Sequence, residues 1–188
     1  MLVQAGSGTL NIITNHAYSG DTWIGAGRIL LRVDNAGSVG SGSVNVANGA
    51  TFEIWAPNGY PVTITNNILL NGMGPGTGRP ALNQDGGGGK VTIAGNLILN
   101  ATSDIGVGGT SWNDMDIPGT ISGAGGMVVK EQTLTIQTLT LQGVNSYDGN
   151  TIVASGILKI GNNAAIPWGP GKGNVSVTGK LDVAGYSI

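Results

Sequence analysis

Apolar and polar positions alternate in short bursts along this chain. Leu10-Asn11-Ile12, Val44-Asn45-Val46, Phe52-Glu53-Ile54 and Val62-Thr63-Ile64 each set two apolar side chains around one polar residue. The pattern returns at Val91-Thr92-Ile93, Leu134-Thr135-Ile136, Leu139-Thr140-Leu141, Leu158-Lys159-Ile160, Val175-Ser176-Val177 and Leu181-Asp182-Val183. A period of two sends successive side chains to opposite faces, so each burst predicts a short, half-buried β-strand. Glycine or asparagine follows within a few residues, as at Asn48-Gly49 and Asn71-Gly72, and both tolerate the backbone of sharp turns. Helical periodicity is almost absent.

Strands this short are unstable as isolated hairpins. A coil that winds each strand onto its equivalent in the previous turn solves the problem. It buries an inward stripe of Ile, Leu and Val, and it pairs backbone groups with the turns above and below. The fold class expected is therefore all-β, a parallel β-solenoid of about eight rungs with about 20–25 residues per turn. Rungs should stack about 4.8 Å apart. The inward positions should include Leu10, Ile12, Ile29, Leu31, Val44, Val46, Leu139, Leu141, Leu158 and Ile160.

The chain also repeats itself. Residues 8–33 and 137–162 align without a gap: Leu10-x-Ile12 with Leu139-x-Leu141, Tyr18 with Tyr147, Thr22 with Thr151, and Gly27 with Gly156. After a two-residue slip, Val44-Asn45-Val46 resembles Val175-Ser176-Val177. Phe52-x-Ile54 then returns to register with Leu181-x-Val183. Residues 1–188 thus read as a single solenoid segment with about one and a half copies of a long unit, 8–54 and 137–183 being equivalent. Tyr18 and Tyr147 should then occupy equivalent corners.

Composition narrows the possibilities. Charged residues make up 10 % of the chain, against about 25 % in ordinary soluble domains, so Thr, Ser, Asn and Gly must carry the surface. The net charge is −2 and no Lys/Arg block exists, which recommends neither nucleic acid nor an anionic membrane as partner. The absence of cysteine excludes disulfides, zinc-thiolate sites and thiol catalysis. No apolar run is long enough for a spanning helix, so this segment is not expected to insert in a membrane. Met1-Leu2-Val3-Gln4-Ala5-Gly6 does not read as a signal peptide.

One run carries a family resemblance. Ile121-Ser122-Gly123-Ala124-Gly125-Gly126 leads to Leu139-Thr140-Leu141, then Asn145-Ser146-Tyr147-Asp148-Gly149-Asn150-Thr151, then Gly156-Ile157-Leu158. This resembles the autotransporter-associated β-strand repeat: a Gly-rich lead, a Leu-Thr-Leu strand, an Asn-x-Tyr-x-Gly-x-Thr turn and Gly-x-Leu. The copy at 8–33 keeps Gly8-Thr9-Leu10, Tyr18, Gly20, Thr22 and Gly27, and departs at His16, where the family has Asn. The resemblance implies a right-handed parallel β-helix in the passenger region of a large bacterial protein, secreted to the cell surface or beyond. It implies a structural or adhesive role without catalysis.

Candidate chemistry is sparse. A carbohydrate-active β-helix enzyme or sugar-binding module is the alternative, and it needs clustered carboxylates beside an aromatic platform. Trp112, Asp114 and Asp116 are the best candidates for such a carbohydrate site. Neither catalytic residues, a cofactor nor a metal site is otherwise expected. Asp85-Gly86-Gly87-Gly88-Gly89 lacks the second half of a calcium-binding nonapeptide. His16, the lone histidine, should sit in a turn. Thr133-x-Thr135 and Thr138-x-Thr140 read as ordinary outward threonines rather than an ice-binding array. Trp23, Trp55 and Trp168 should cover corners. Asn66, Asn67, Asn71, Asn96, Asn100, Asn145, Asn150, Asn162 and Asn163 should stack along the axis as hydrogen-bonding ladders. The expected partners are flanking solenoid repeats or end-to-end copies forming a fibre, and surface glycans. Neither end reads as a capping segment, so the chain is expected to be part of a longer solenoid or to stack.

Overall fold

A computed structural model describes residues 1–188 except 33–37, 58, 77, 110–112 and 132–136. Trp112, Thr133, Leu134, Thr135 and Ile136 therefore lie outside the described residues. The chain winds through three parallel sheets. The first contains β1 (Leu2–Gln4), β4 (Thr22–Ile24), β7 (Val44–Ala47), β10 (Ile68–Asn71), β13 (Leu97–Leu99) and β16 (Ile121–Ser122), in that spatial order. The second contains β2 (Thr9–Ile12), β5 (Arg28–Arg32), β8 (Thr51–Trp55), β11 (Leu82–Asp85), β14 (Ser103–Gly108), β17 (Met127–Glu131), β19 (Thr151–Val153) and β21 (Val175–Val177). The third contains β9 (Val62–Ile64), β12 (Val91–Ile93), β15 (Asp114–Ile117), β18 (Thr138–Leu141), β20 (Ile157–Ile160) and β22 (Lys180–Asp182). A small sheet pairs β3 (Asn15–His16) with β6 (Ser38–Val39).

The longest sheet stacks eight strands, so the chain makes about seven turns from the first to the last. Every pairing between these strands is parallel, as a solenoid requires and a set of hairpins does not. Turn length is less uniform than expected. The turn that brings Ile29 onto Leu10 is short, whereas the one that brings Leu82 onto Phe52 is much longer. No helix occurs among the described residues.

The core is the stack of inward side chains that alternation assigns. Nine of the ten expected positions are buried, and Leu10 is partly buried against the same core. Narrow aliphatic side chains suit the slender interior between three close sheets.

The asparagine ladders are also present, and they run from turn to turn. Asn67 Oδ1 accepts from Asn96 N at 3.0 Å, and Asn96 Oδ1 accepts from Thr120 N at 3.3 Å. Asn100 Nδ2 donates to Asn71 Oδ1 at 2.8 Å, and Asn150 Oδ1 accepts from Asn174 N at 2.8 Å. The bonds to amides satisfy backbone groups at corners, where the strand ladders are interrupted.

The two tyrosines depart from expectation. Tyr18 leads into β4 on the first sheet, but Tyr147 leads into β19 on the second. Four turns carry the first sheet from Thr22 through Val44, Ile68 and Leu97 to Ile121. On the next turn Ser146 N donates to Ile121 O at 2.8 Å, so Tyr147 still lies beside the first sheet and Thr151 opens the second. Unequal turn lengths have carried the second copy one face further round. His16 also departs: it lies in β3, paired with Val39, rather than in a turn.

Candidate functional site

Alternation in the third sheet turns Met115, Ile117, Leu139, Leu141, Leu158 and Ile160 into the core. The residues between them face out. Strand register then aligns outward side chains from turn to turn: Thr63 beside Thr92, Thr92 beside Asp116, Asp116 beside Thr140, Thr140 beside Lys159, and Lys159 beside Asp182. A second column aligns Asp114, Thr138, Ile157 and Lys180. Lys90, Gln142 and Tyr186 flank the columns, and side chains of both columns join them in lining a shallow, mostly polar groove.

Asp114 and Asp116 both lie in this groove, two residues apart on β15. Lys90 Nζ holds Asp116 Oδ2 at 2.6 Å, and Gln142 Nε2 donates to the same oxygen at 3.4 Å. Asp114 Oδ1 accepts from Thr138 N at 3.3 Å. The acids are thus woven into a surface of lysines and threonines that sequence inspection did not connect to them. Thr138, Thr140, Lys159 and Asp182 were legible as outward residues of their own strands, but only register places them side by side.

The second sheet differs because the middle of its outer face, over β8, β11 and β14, is covered. The long turn between β10 and β11 crosses it as a strap. Gly74 N and Ala81 N donate to Asp104 Oδ1 at 2.7 and 2.8 Å, and Lys130 Nζ meets Asp104 Oδ2 at 2.8 Å. Arg28 Nη1 pairs with Glu53 Oε1 at 2.8 Å, and Arg79 on the strap pairs with Glu53 Oε2. Glu53 and Asp104 are each only 2 % exposed, so their charges depend on these partners. Burial raises the pKa of nearby Asp85, and the charge of Glu53 adds to the rise; Arg79 and Arg28 oppose both.

The tryptophans are scattered. Trp23 is exposed on the outer face of the first sheet, Trp55 stacks beneath Arg32 with Cζ 4.8 Å from the ring centre, and Trp168 is exposed beyond β20.

The duplicated windows share a compact geometry. In each, a strand leads to a tyrosine whose hydroxyl bonds a threonine four residues on: Tyr18 to Thr22, and Tyr147 to Thr151 at 2.5 Å. A glycine of positive φ follows, 64° at Gly27 and 72° at Gly156. The next strand then closes back onto the first over the same short span in both windows, pairing Leu10 with Ile29 and Leu139 with Leu158. Each window is therefore one short turn of the solenoid. The passenger-associated-transport-repeat model matches residues 2–31 and again residues 137–160. The chain carries two copies of that repeat. The match to the passenger-associated repeat covers both short turns, although they start on different sheets. Adhesin BmaC autotransporter of Brucella suis biovar 1 (strain 1330) is 30 % identical over 161 residues. That alignment takes in 84 % of this chain and 4 % of the adhesin, so the chain spans a small part of that relative's length. No solved structure matches the chain at comparable significance.

Proposed function

We propose that this chain is a structural and adhesive segment of a bacterial autotransporter passenger, held at the cell surface or released outside the cell. The observation that carries the reading is the pair of passenger-associated repeats, each folded as one turn of a continuous solenoid. Similarity to an adhesin autotransporter over 84 % of the chain supports it. The role is non-catalytic: the solenoid sets surface side chains at a fixed spacing on a stiff rod. Its partners include neighbouring repeats of the same kind. The outer edge of β21 leaves Val175 and Val177 exposed, and a further parallel rung laid on that edge would cover them and extend the ladder.

Display of residues 1–188 on a non-adherent bacterium tests the reading. Adhesion to epithelial cells should rise above that of the same display scaffold carrying an unrelated β-solenoid. Equal adhesion would reject the adhesive role. Hydrolysis or elimination of a polysaccharide by the purified chain would reject the non-catalytic one.

A further inference from the structure

Four successive rungs of the third sheet present outward residues to one groove: Asp114 and Asp116, Thr138 and Thr140, Ile157 and Lys159, and Asp182. The geometry points to this groove as a binding site for a linear, uncharged glycan lying along the solenoid axis, one sugar to a rung. The inference rests on the adhesive reading above and names the class of ligand.

Spacing is the first argument. Rungs of a parallel solenoid step by about 4.8 Å, which is comparable with the length of one pyranose along an extended glycan. A ligand with that repeat meets equivalent positions turn after turn, whereas a compact ligand would use only one or two rungs.

Chemistry is the second. The column Asp116, Thr140, Lys159, Asp182 offers in order an acceptor, a hydroxyl that both donates and accepts, a donor, and another acceptor. Sugar hydroxyls can pair with each. The groups stand on neighbouring strands of one bonded ladder, so little ordering is required when the ligand arrives. Tyr186 borders the groove and is 43 % exposed, which leaves its ring available to the apolar face of a pyranose.

Other polymers fit less well. An extended peptide binds by adding to an open sheet edge, but β15, β18 and β20 already pair on both sides. A polyanion would meet three carboxylates, Asp114, Asp116 and Asp182, against Lys159, because Lys90 is already engaged by Asp116 at 2.6 Å. An apolar chain would find only Ile157 among the outward pairs.

The test is titration of the isotopically labelled chain, residues 1–188, with neutral hexasaccharides: β-1,4-glucan, β-1,3-glucan, α-1,4-glucan and β-1,4-linked N-acetylglucosamine. A hexagalacturonate serves as the anionic comparator. At least one neutral glycan should shift amides of β15, β18, β20 and β22, with affinity rising from disaccharide to tetrasaccharide and then levelling. Tyr186→Ala and Thr140→Arg should each weaken binding roughly tenfold with an unchanged circular dichroism spectrum. Thr63→Arg, the same exchange three rungs away on the same column, should not. The inference is overturned if no neutral hexasaccharide perturbs those strands, if hexagalacturonate binds more tightly, or if Tyr186→Ala binds as well as the parent. Should Thr140→Arg fail to fold, the length series and Tyr186→Ala still decide. Persistent adhesion of the displayed chain alongside a failed titration would sink the glycan site and leave the adhesive reading standing.

Discussion

The Tyr147 hydroxyl lies 2.5 Å from Thr151 Oγ1, four residues ahead of it, with both side chains buried. The bond closes the corner from which β19 starts, and Tyr18 and Thr22 form its counterpart in the other repeat. Tyr147→Phe would strand the Thr151 hydroxyl in a site 2 % exposed, at a cost of about 1–3 kcal/mol. The half-buried Tyr18 should tolerate the same exchange better, because Thr22 Oγ1, though buried, keeps its bond to Val39 O at 3.0 Å. Urea denaturation of the two variants would check the order. Tyr147→Phe combined with Thr151→Val should be milder than the sum of the single changes.

Burial pushes the Tyr147 pKa up to about 12, and its bond to Thr151 only partly offsets this. An unfolded tyrosine ionises near pH 10. The folded state therefore keeps the proton longer than the unfolded one. The resulting stability is complete below about pH 10 and is lost as pH rises toward about 12, by about 2–3 kcal/mol in all. Ultraviolet titration should find one tyrosine ionising last, together with cooperative unfolding. Tyr147→Phe should remove both features.

Asp104 holds the strap by two backbone amides and binds Lys130. Asp104→Ala leaves Gly74 N and Ala81 N without their acceptor, while the partly exposed Lys130 can turn to water. The expected cost is about 2–4 kcal/mol. Hydrogen exchange at Gly74 and Ala81 should accelerate far more than at the amides of β18, which belongs to the third sheet.

Gly95, Gly119 and Gly143 form a column at one corner, one per turn. A Cβ on Gly119 would lie inside contact distance of Gly95 O, and one on Gly143 would strike Gly119 O in the same way. The restriction here is the close stacking of neighbouring turns. Gly119→Ala should cost about 1–3 kcal/mol, whereas Gly76→Ala, which faces open space, should stay within about 0.5 kcal/mol. Thermal melts of the pair would decide it.

Much of the fold was legible because solenoid strands are specified locally. The alternation in Val44-Asn45-Val46 or Leu139-Thr140-Leu141 states which side chains turn inward, and the structure buries them. The asparagines announced their ladders because their side chains act on backbone groups at corners, one turn away. The match between Tyr18 and Tyr147 identified two repeats whose internal geometry proved alike.

What the sequence determined by itself was the side of the strand on which each residue lies and the local form of each repeat. A period of two and a tyrosine–threonine corner need only a few neighbouring residues. Only the tertiary structure decided which of the three sheets each strand joins, and what lies over its outer face. The first depends on the accumulated lengths of all earlier turns, so turns of unequal length carried the second repeat onto a different face from the first. The second depends on distant chain. Glu53 alternates like any outward residue, yet Arg79, 26 residues away on the strap, buries and neutralises it. Asp116 reads only as an acid close to Trp112 and Asp114, yet register sets it beside Thr140 and an ion pair ties it to Lys90 in a groove. Contacts between turns arise from pairing at long range, which local periodicity does not encode.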